Sequence, residues 1–239
     1  MTQASIGHHC PTCLGEGNQQ VYTARNLPSS RTITVIHIII GINVLAFLGQ
    51  QASPNNLVIG WLFGPAVEAG EWWRVITSAF LHGSFIHIGF NMYVLWAIGH
   101  PLLEGIGRVR FLLVYLAGLL GASFAVLAFD YTAPTLGASG AVLGLAGALA
   151  AVLWSRGINI TQTSLGFVLL LNLGLPLLIG GISFWGHFGG IFAGAAAGWV
   201  VGWLPKYGRS QTEVAGALVA LCALMAGGVF YAVTSQGLL

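Results

Sequence analysis

Hydrophobic positions along this chain do not fall into one-sided stripes; they gather into runs that are apolar all round, separated by short polar joints. A helix apolar on every face belongs in a core or a bilayer, and about 20 such residues are needed to cross hydrocarbon. The runs lie near residues 32–48, 85–103, 109–129, 139–154, 163–180, 184–204 and 214–233, which predicts seven spanning helices. Strict alternation of the kind a membrane barrel requires is absent, so helices are the expected element. The longest stretch between runs, residues 49–84, holds Pro54, Pro65 and Glu71-Trp72-Trp73-Arg74. It is too apolar for a solvated loop and is expected to lie partly in the membrane interface, where tryptophan is favoured.

Composition moves the same way. Of 239 residues 56% are hydrophobic and 6% charged, and the mean hydropathy is +0.84. The fold class expected is an all-α membrane protein, a polytopic bundle of six core helices with a seventh added at the C-terminal end. Three parts are read: a flexible cytoplasmic segment over 1–31, a six-helix core over 32–204, and a linker with the additional helix over 205–239. The polar first 30 residues carry no evident secretory signal.

Lysine and arginine orient the bundle. With the N-terminus cytoplasmic, Arg25, Arg31, Arg108, Arg110, Arg156, Lys206 and Arg209 fall on the cytoplasmic side, and Arg74 alone among the eight falls outside. That topology brings the start of the fourth run and the start of the sixth to the outer face. A prokaryotic plasma membrane is the location expected. The three cysteines, Cys10, Cys13 and Cys222, make no disulfide framework. His8-His9-Cys10-Pro11-Thr12-Cys13 offers soft zinc ligands but lacks a second pair at finger spacing; a plain polar tail is the simpler reading.

Chemistry concentrates at the outer ends. Gly137-Ala138-Ser139-Gly140 opens the fourth run, placing a hydroxyl beside N–H groups that have no intrahelical partner. Taken alone, Ser139 reads as a helix N-cap between small residues. His187, at the start of the sixth run, is an ionisable group inside an apolar segment. Together they suggest a nucleophile and its base, and with no Asp or Glu near either in the spans, a dyad and not a triad. His87 and Asn91 stand four apart on one face of the second run, as oxyanion donors or as a polar clamp between helices; the backbone N–H of Ser139 would be a further donor. His82 is expected to support the loop by hydrogen bonding. His37 is read as a packing residue, and His100 lies at the cytoplasmic end. Gly190, Gly194 and Gly198 make a flat face on the sixth run, shared by His187.

Trp73-Arg74, His87-x-x-x-Asn91, Gly137-x-Ser139-Gly140 and His187-x-x-Gly190-x-x-x-Gly194, in that order, resemble the rhomboid family of intramembrane serine proteases over about residues 32–204. The resemblance implies a six-helix core whose Ser139–His187 dyad opens into a wet cavity below the outer surface, with His87 and Asn91 holding the oxyanion. It implies that the Trp73-Arg74 loop dips into the outer leaflet, with Trp73, Arg74, His82, Gly137, Gly190 and Gly194 in support. Substrates would be single-span or other transmembrane proteins met in the bilayer, with no nucleic acid and no cofactor. Leu143 departs from the family, which often has an aromatic residue there against the histidine, and Glu104-Gly105-Ile106-Gly107 is spaced one residue differently. Two other classes are compatible with such polar intramembrane residues. One is a catalytically silent rhomboid-like protein that binds transmembrane clients; the other is a solute transporter or channel, against which no repeat between halves is apparent.

Overall fold

The computed structural model describes residues 2–3, 8–9, 33–53 and 55–236. Cys10, Cys13 and the segment read as flexible, residues 2–3 and 8–9 excepted, lie outside them. The chain divides into two units, Met1–Arg31 and Thr32–Leu239. In the first, β1 (Thr2–Gln3) pairs antiparallel with β2 (His8–His9).

The second unit is an all-helical membrane bundle. Among the described residues seven long helices carry it: α1 (Ile33–Ala52), α5 (Phe85–Ile106), α6 (Arg108–Phe129), α7 (Ser139–Ser155), α8 (Ser164–Leu178), α9 (Phe184–Trp203) and α10 (Gln211–Gln236). Between α1 and α5 come three short ones, α2 (Asn55–Gly60), α3 (Gly64–Glu68) and α4 (Arg74–Thr77), and a 3-10 turn, Ser78–Phe80. The spans follow the apolar runs to within a few residues. α5 has 22 residues, and the other six fall into two kinds. α1, α6, α9 and α10 are long and apolar enough to cross a bilayer on their own. α7 has 17 residues and α8 has 15. At about 1.5 Å per residue neither reaches the roughly 30 Å of a hydrocarbon core, so an end of each stops below a surface.

α7 is the central helix, buried without interruption from Gly140 to Ala148. Lipid tails are as apolar as leucine, so helices in a bilayer associate through close packing, which small residues permit. On α9, a Cβ at Gly190 would fall on the backbone of Gly140, one at Gly194 on the carbonyl of Gly144, and one at Gly198 on Ala148. From the other side Gly118 of α6 meets Gly144, where a Cβ would stand 2.9 Å from the Gly144 Cα. Backbone therefore lies on backbone along both seams.

The long connection is tied down by polar groups. Arg74 is buried, and its guanidinium donates to Glu71 at 2.7 Å and to the carbonyls of Val58 at 2.7 Å and Trp61 at 3.0 Å. Leu62 exchanges backbone hydrogen bonds with Thr135 at 2.8 and 2.9 Å, and Gly137 N–H donates to the Ser78 carbonyl at 2.9 Å. Tyr131 donates to Glu68 at 2.7 Å; burial first, then the bond and charge of Glu68, push its phenol up to about 12, so it stays a donor. The seventh helix, α10, lies along α6, with Gly228 against the Phe124 ring at 3.0 Å for a built Cβ. Its Phe230 stacks on Trp72 of the loop at 5.8 Å between centroids.

His82 ends this connection, and the hydrogen bonds through which it supports the loop are those of its main chain: the Gln50 amide donates to the His82 carbonyl and accepts its N–H, both at 3.0 Å. The ring is buried, neither nitrogen makes a well-formed hydrogen bond among the described residues, and its edge faces His87 at 5.0 Å. Burial foremost, and His87 next, lower the imidazole from 6.5 to about 4 against a smaller opposing pull from the Phe80 backbone.

Two outcomes follow. Gly194→Val should wedge α7 from α9 and cost about 1–3 kcal/mol of stability as an overpacked contact, while Gly227→Val, with open space around it, should not; equal melting temperatures in detergent would refute the seam. The unfolded state takes up the His82 proton below pH 6.5 and the folded state only near 4, so stability should fall as pH drops through that window. His82→Leu should flatten that part of the profile, and parallel losses in variant and wild type would exclude the group as the cause.

Candidate active site

Gly137 sets the start of α7. Its φ of 125° lies where only glycine is comfortable, and a Cβ there would stand 2.8 Å from His87 Cε1 and 2.9 Å from Nε2. Ala138 is the N-cap and Ser139 the first helical residue, with no side-chain cap bond. The N-cap reading of Ser139 is thereby corrected: the hydroxyl is not turned back onto its own helix. First-turn N–H groups, those of Ser139, Gly140 and Ala141, lack carbonyls four residues earlier in the helix.

The Ser139 hydroxyl meets His187 instead, Oγ to Nε2 at 3.1 Å. Ser183 caps α9 by accepting the Gly186 N–H at 3.1 Å, which puts His187 one turn inside the helix, buried and on the glycine face. The other ring nitrogen, Nδ1, lies 2.8 Å from the carbonyl oxygen of Asn172 on α8. A carbonyl can only accept, so Nδ1 carries the hydrogen and the neutral ring presents a bare lone pair at Nε2. Ser139 O–H therefore donates to His187.

His87 has the opposite tautomer. Gly83 N–H donates to its Nδ1 over a long 3.4 Å, which leaves the hydrogen on Nε2. Ser84 caps α5 by accepting the His87 N–H at 3.2 Å, and the ring lies over Gly137 next to the serine. One histidine thus offers an acceptor and the other a donor to the same space. Asn91, a turn further along, is buried and donates to the His87 carbonyl at 3.0 Å.

Ser139, His187 and His87 line a cavity of about 630 Å³ together with Ser78, Gly137 and Ser183. A smaller space of about 110 Å³ joins the same three residues to Asn91, Leu143 and Asn172. The structure brings Ser139, His187, His87, Asn91 and Gly137 together, and Gly190 and Gly194 frame them from behind. Trp73 and Arg74 line neither space: Trp73 is half exposed, and Arg74 holds the loop. His100 and His37 sit 6.3 Å apart, away from both. Leu143 lines the smaller space beside His187, and no aromatic ring at that position orients the imidazole.

Asn172 was not singled out from sequence. It is a polar residue in the fifth apolar run, which is a signal, but its contribution comes through a backbone carbonyl that any residue carries.

A profile of the rhomboid domain matches residues 69–204, more than half of the chain. Among curated proteins, rhomboid protease GluP of Bacillus subtilis is 33% identical over 211 residues, 84% of this chain and 41% of that protein. Human rhomboid-related protein 3 is 33% identical over 121 residues, 49% of this chain and 30% of that protein. The putative rhomboid protease YdcA of Bacillus subtilis is 32% identical over 126 residues, 49% of this chain and 61% of that protein. The chain therefore spans less than half the length of the first two. The matched region runs from the tied connection through both glycine seams and contains Ser139, His187, His87 and Asn91, and on that evidence the chain belongs to the rhomboid family.

Proposed function

We propose that the chain is an intramembrane serine endopeptidase that cuts peptide bonds in or beside the transmembrane segments of other membrane proteins. One observation carries this reading: the Ser139 hydroxyl donates to the bare Nε2 of a buried, oriented His187 on the floor of a cavity.

The steps follow from the donors and acceptors present. Ser139 Oγ attacks the scissile carbonyl as its proton passes to His187 Nε2. The oxygen that gains charge is met by the first-turn N–H groups at Ser139 and by the Nε2–H of His87, with the Asn91 amide nearby. The C–N bond breaks as His187 returns the proton to the leaving amine, which leaves an ester on Ser139. Water, deprotonated by His187, attacks that ester; the acid product departs and the serine regains its hydrogen.

Supply of substrate is read from the side. The smaller space lies between Phe90 and Val94 of α5 and Leu175 of α8, and an apolar strip there suits a chain arriving from lipid. Helix shields its own carbonyls, so small or helix-weakening residues near the cut should favour cleavage. Residues 32–204 form the catalytic core in this reading, 1–31 a cytoplasmic segment, and 205–239 the linker and added helix. Seven of the eight lysines and arginines lie cytoplasmic if the site faces outward, which supports a prokaryotic plasma membrane with the N-terminus inside.

With a single-span substrate in liposomes, wild type should cleave and Ser139→Ala and His187→Ala should not; cleavage by Ser139→Ala would sink the mechanism. His87→Ala and Asn91→Ala should each lower kcat about 10²-fold, the scale of one lost oxyanion donor, with KM little changed. Unchanged rates would remove them from the site. Failure of wild type on several substrates, with no fluorophosphonate labelling of Ser139, would favour a client-binding protein.

A further inference from the structure

α8 contains Pro176, and a proline inside a helix has no N–H for the carbonyl four residues earlier, while its ring crowds that carbonyl outward. Four residues before Pro176 is Asn172. Its carbonyl oxygen is thus left out of the helix ladder, and it is this oxygen that stands 2.8 Å from His187 Nδ1. The Asn172 side chain is engaged elsewhere, its amide donating to the Val168 carbonyl at 2.8 Å within α8. Beyond the proline, bonding resumes, with Ile179 N–H donating to Leu175 at 2.8 Å.

Building on the proteolytic reading, we propose that Pro176 is a positioning residue: by withholding an N–H from Asn172 it makes that backbone carbonyl the fixed acceptor that holds His187 with its lone pair toward Ser139. Among the described residues no Asp or Glu lines either space, so the carbonyl stands where a carboxylate orients the base in a triad. Being neutral, it selects the tautomer without adding a charge to a buried site. An N–H at position 176 would compete for the same oxygen, and the imidazole would be free to turn or to adopt the other tautomer.

The test uses the full chain in detergent with ¹⁵N-labelled histidine, the His187 signals being those missing from His187→Ala. Wild type should show a protonated Nδ1 and an unprotonated Nε2. Pro176→Ala should show a mixture of tautomers and a kcat lowered about tenfold or more, the scale of one orienting hydrogen bond, with KM within about twofold. The α-hydroxy analogue of alanine at position 176, with an ester in place of the amide N–H, should restore the wild-type tautomer and rate, and it serves equally if Pro176→Ala fails to fold. A Pro176→Ala protein with an unchanged His187 spectrum and kcat would overturn the proposal and leave the protease reading standing. A wild type with the expected spectrum but no cleavage would overturn the protease reading and leave the link from Pro176 to His187 intact.

Discussion

The close seam between α7 and α9 is the constraint on which the rest depends. Three glycines of α9 lie on the backbone of α7 at positions where a methyl group could not be accommodated. In a bilayer no gain from removing apolar surface from water draws two helices together, so the approach must come from fit. Ser139 stands at the head of one helix and His187 one turn into the other, and their 3.1 Å separation is a consequence of how near the two axes run. A seam of larger residues would keep the same fold class and lose the pairing.

Around that seam the site is built largely from backbone. Ser139 is held by a helix start that only Gly137 permits, beside first-turn N–H groups that have no intrahelical partners. His187 is held by a carbonyl of α8, and His87 by an N–H of Gly83. These two backbone contacts give the imidazoles opposite tautomers, so that chemically identical rings present an acceptor and a donor to one space. A low-dielectric surrounding makes unpaired charge costly, and orienting an imidazole with neutral groups avoids it.

The tied connection between α1 and α5 supplies the far wall. Arg74 is buried with three partners inside that connection, and Ser78 holds Gly137 by its carbonyl. Helix α10 reaches the same connection through the stack of Phe230 on Trp72. The added helix is therefore coupled to a wall of the cavity while contributing nothing to its lining.

Spans, their order and the residues able to do chemistry were legible in the sequence because each is a local property: apolar length, a lone histidine in an apolar run, glycines at a four-residue period. The sequence by itself thus determined an all-helical membrane bundle and nominated Ser139, His187, His87 and Asn91. Only the tertiary structure decided which atoms meet. Ser139 was open to reading as an N-cap, His82 proved to support its loop through backbone and not ring, and Asn172 entered through a carbonyl that carries no residue identity. Tautomers and hydrogen bonds depend on distances between residues tens of positions apart, which local pattern does not encode, and those distances exist only once the glycine seam has closed.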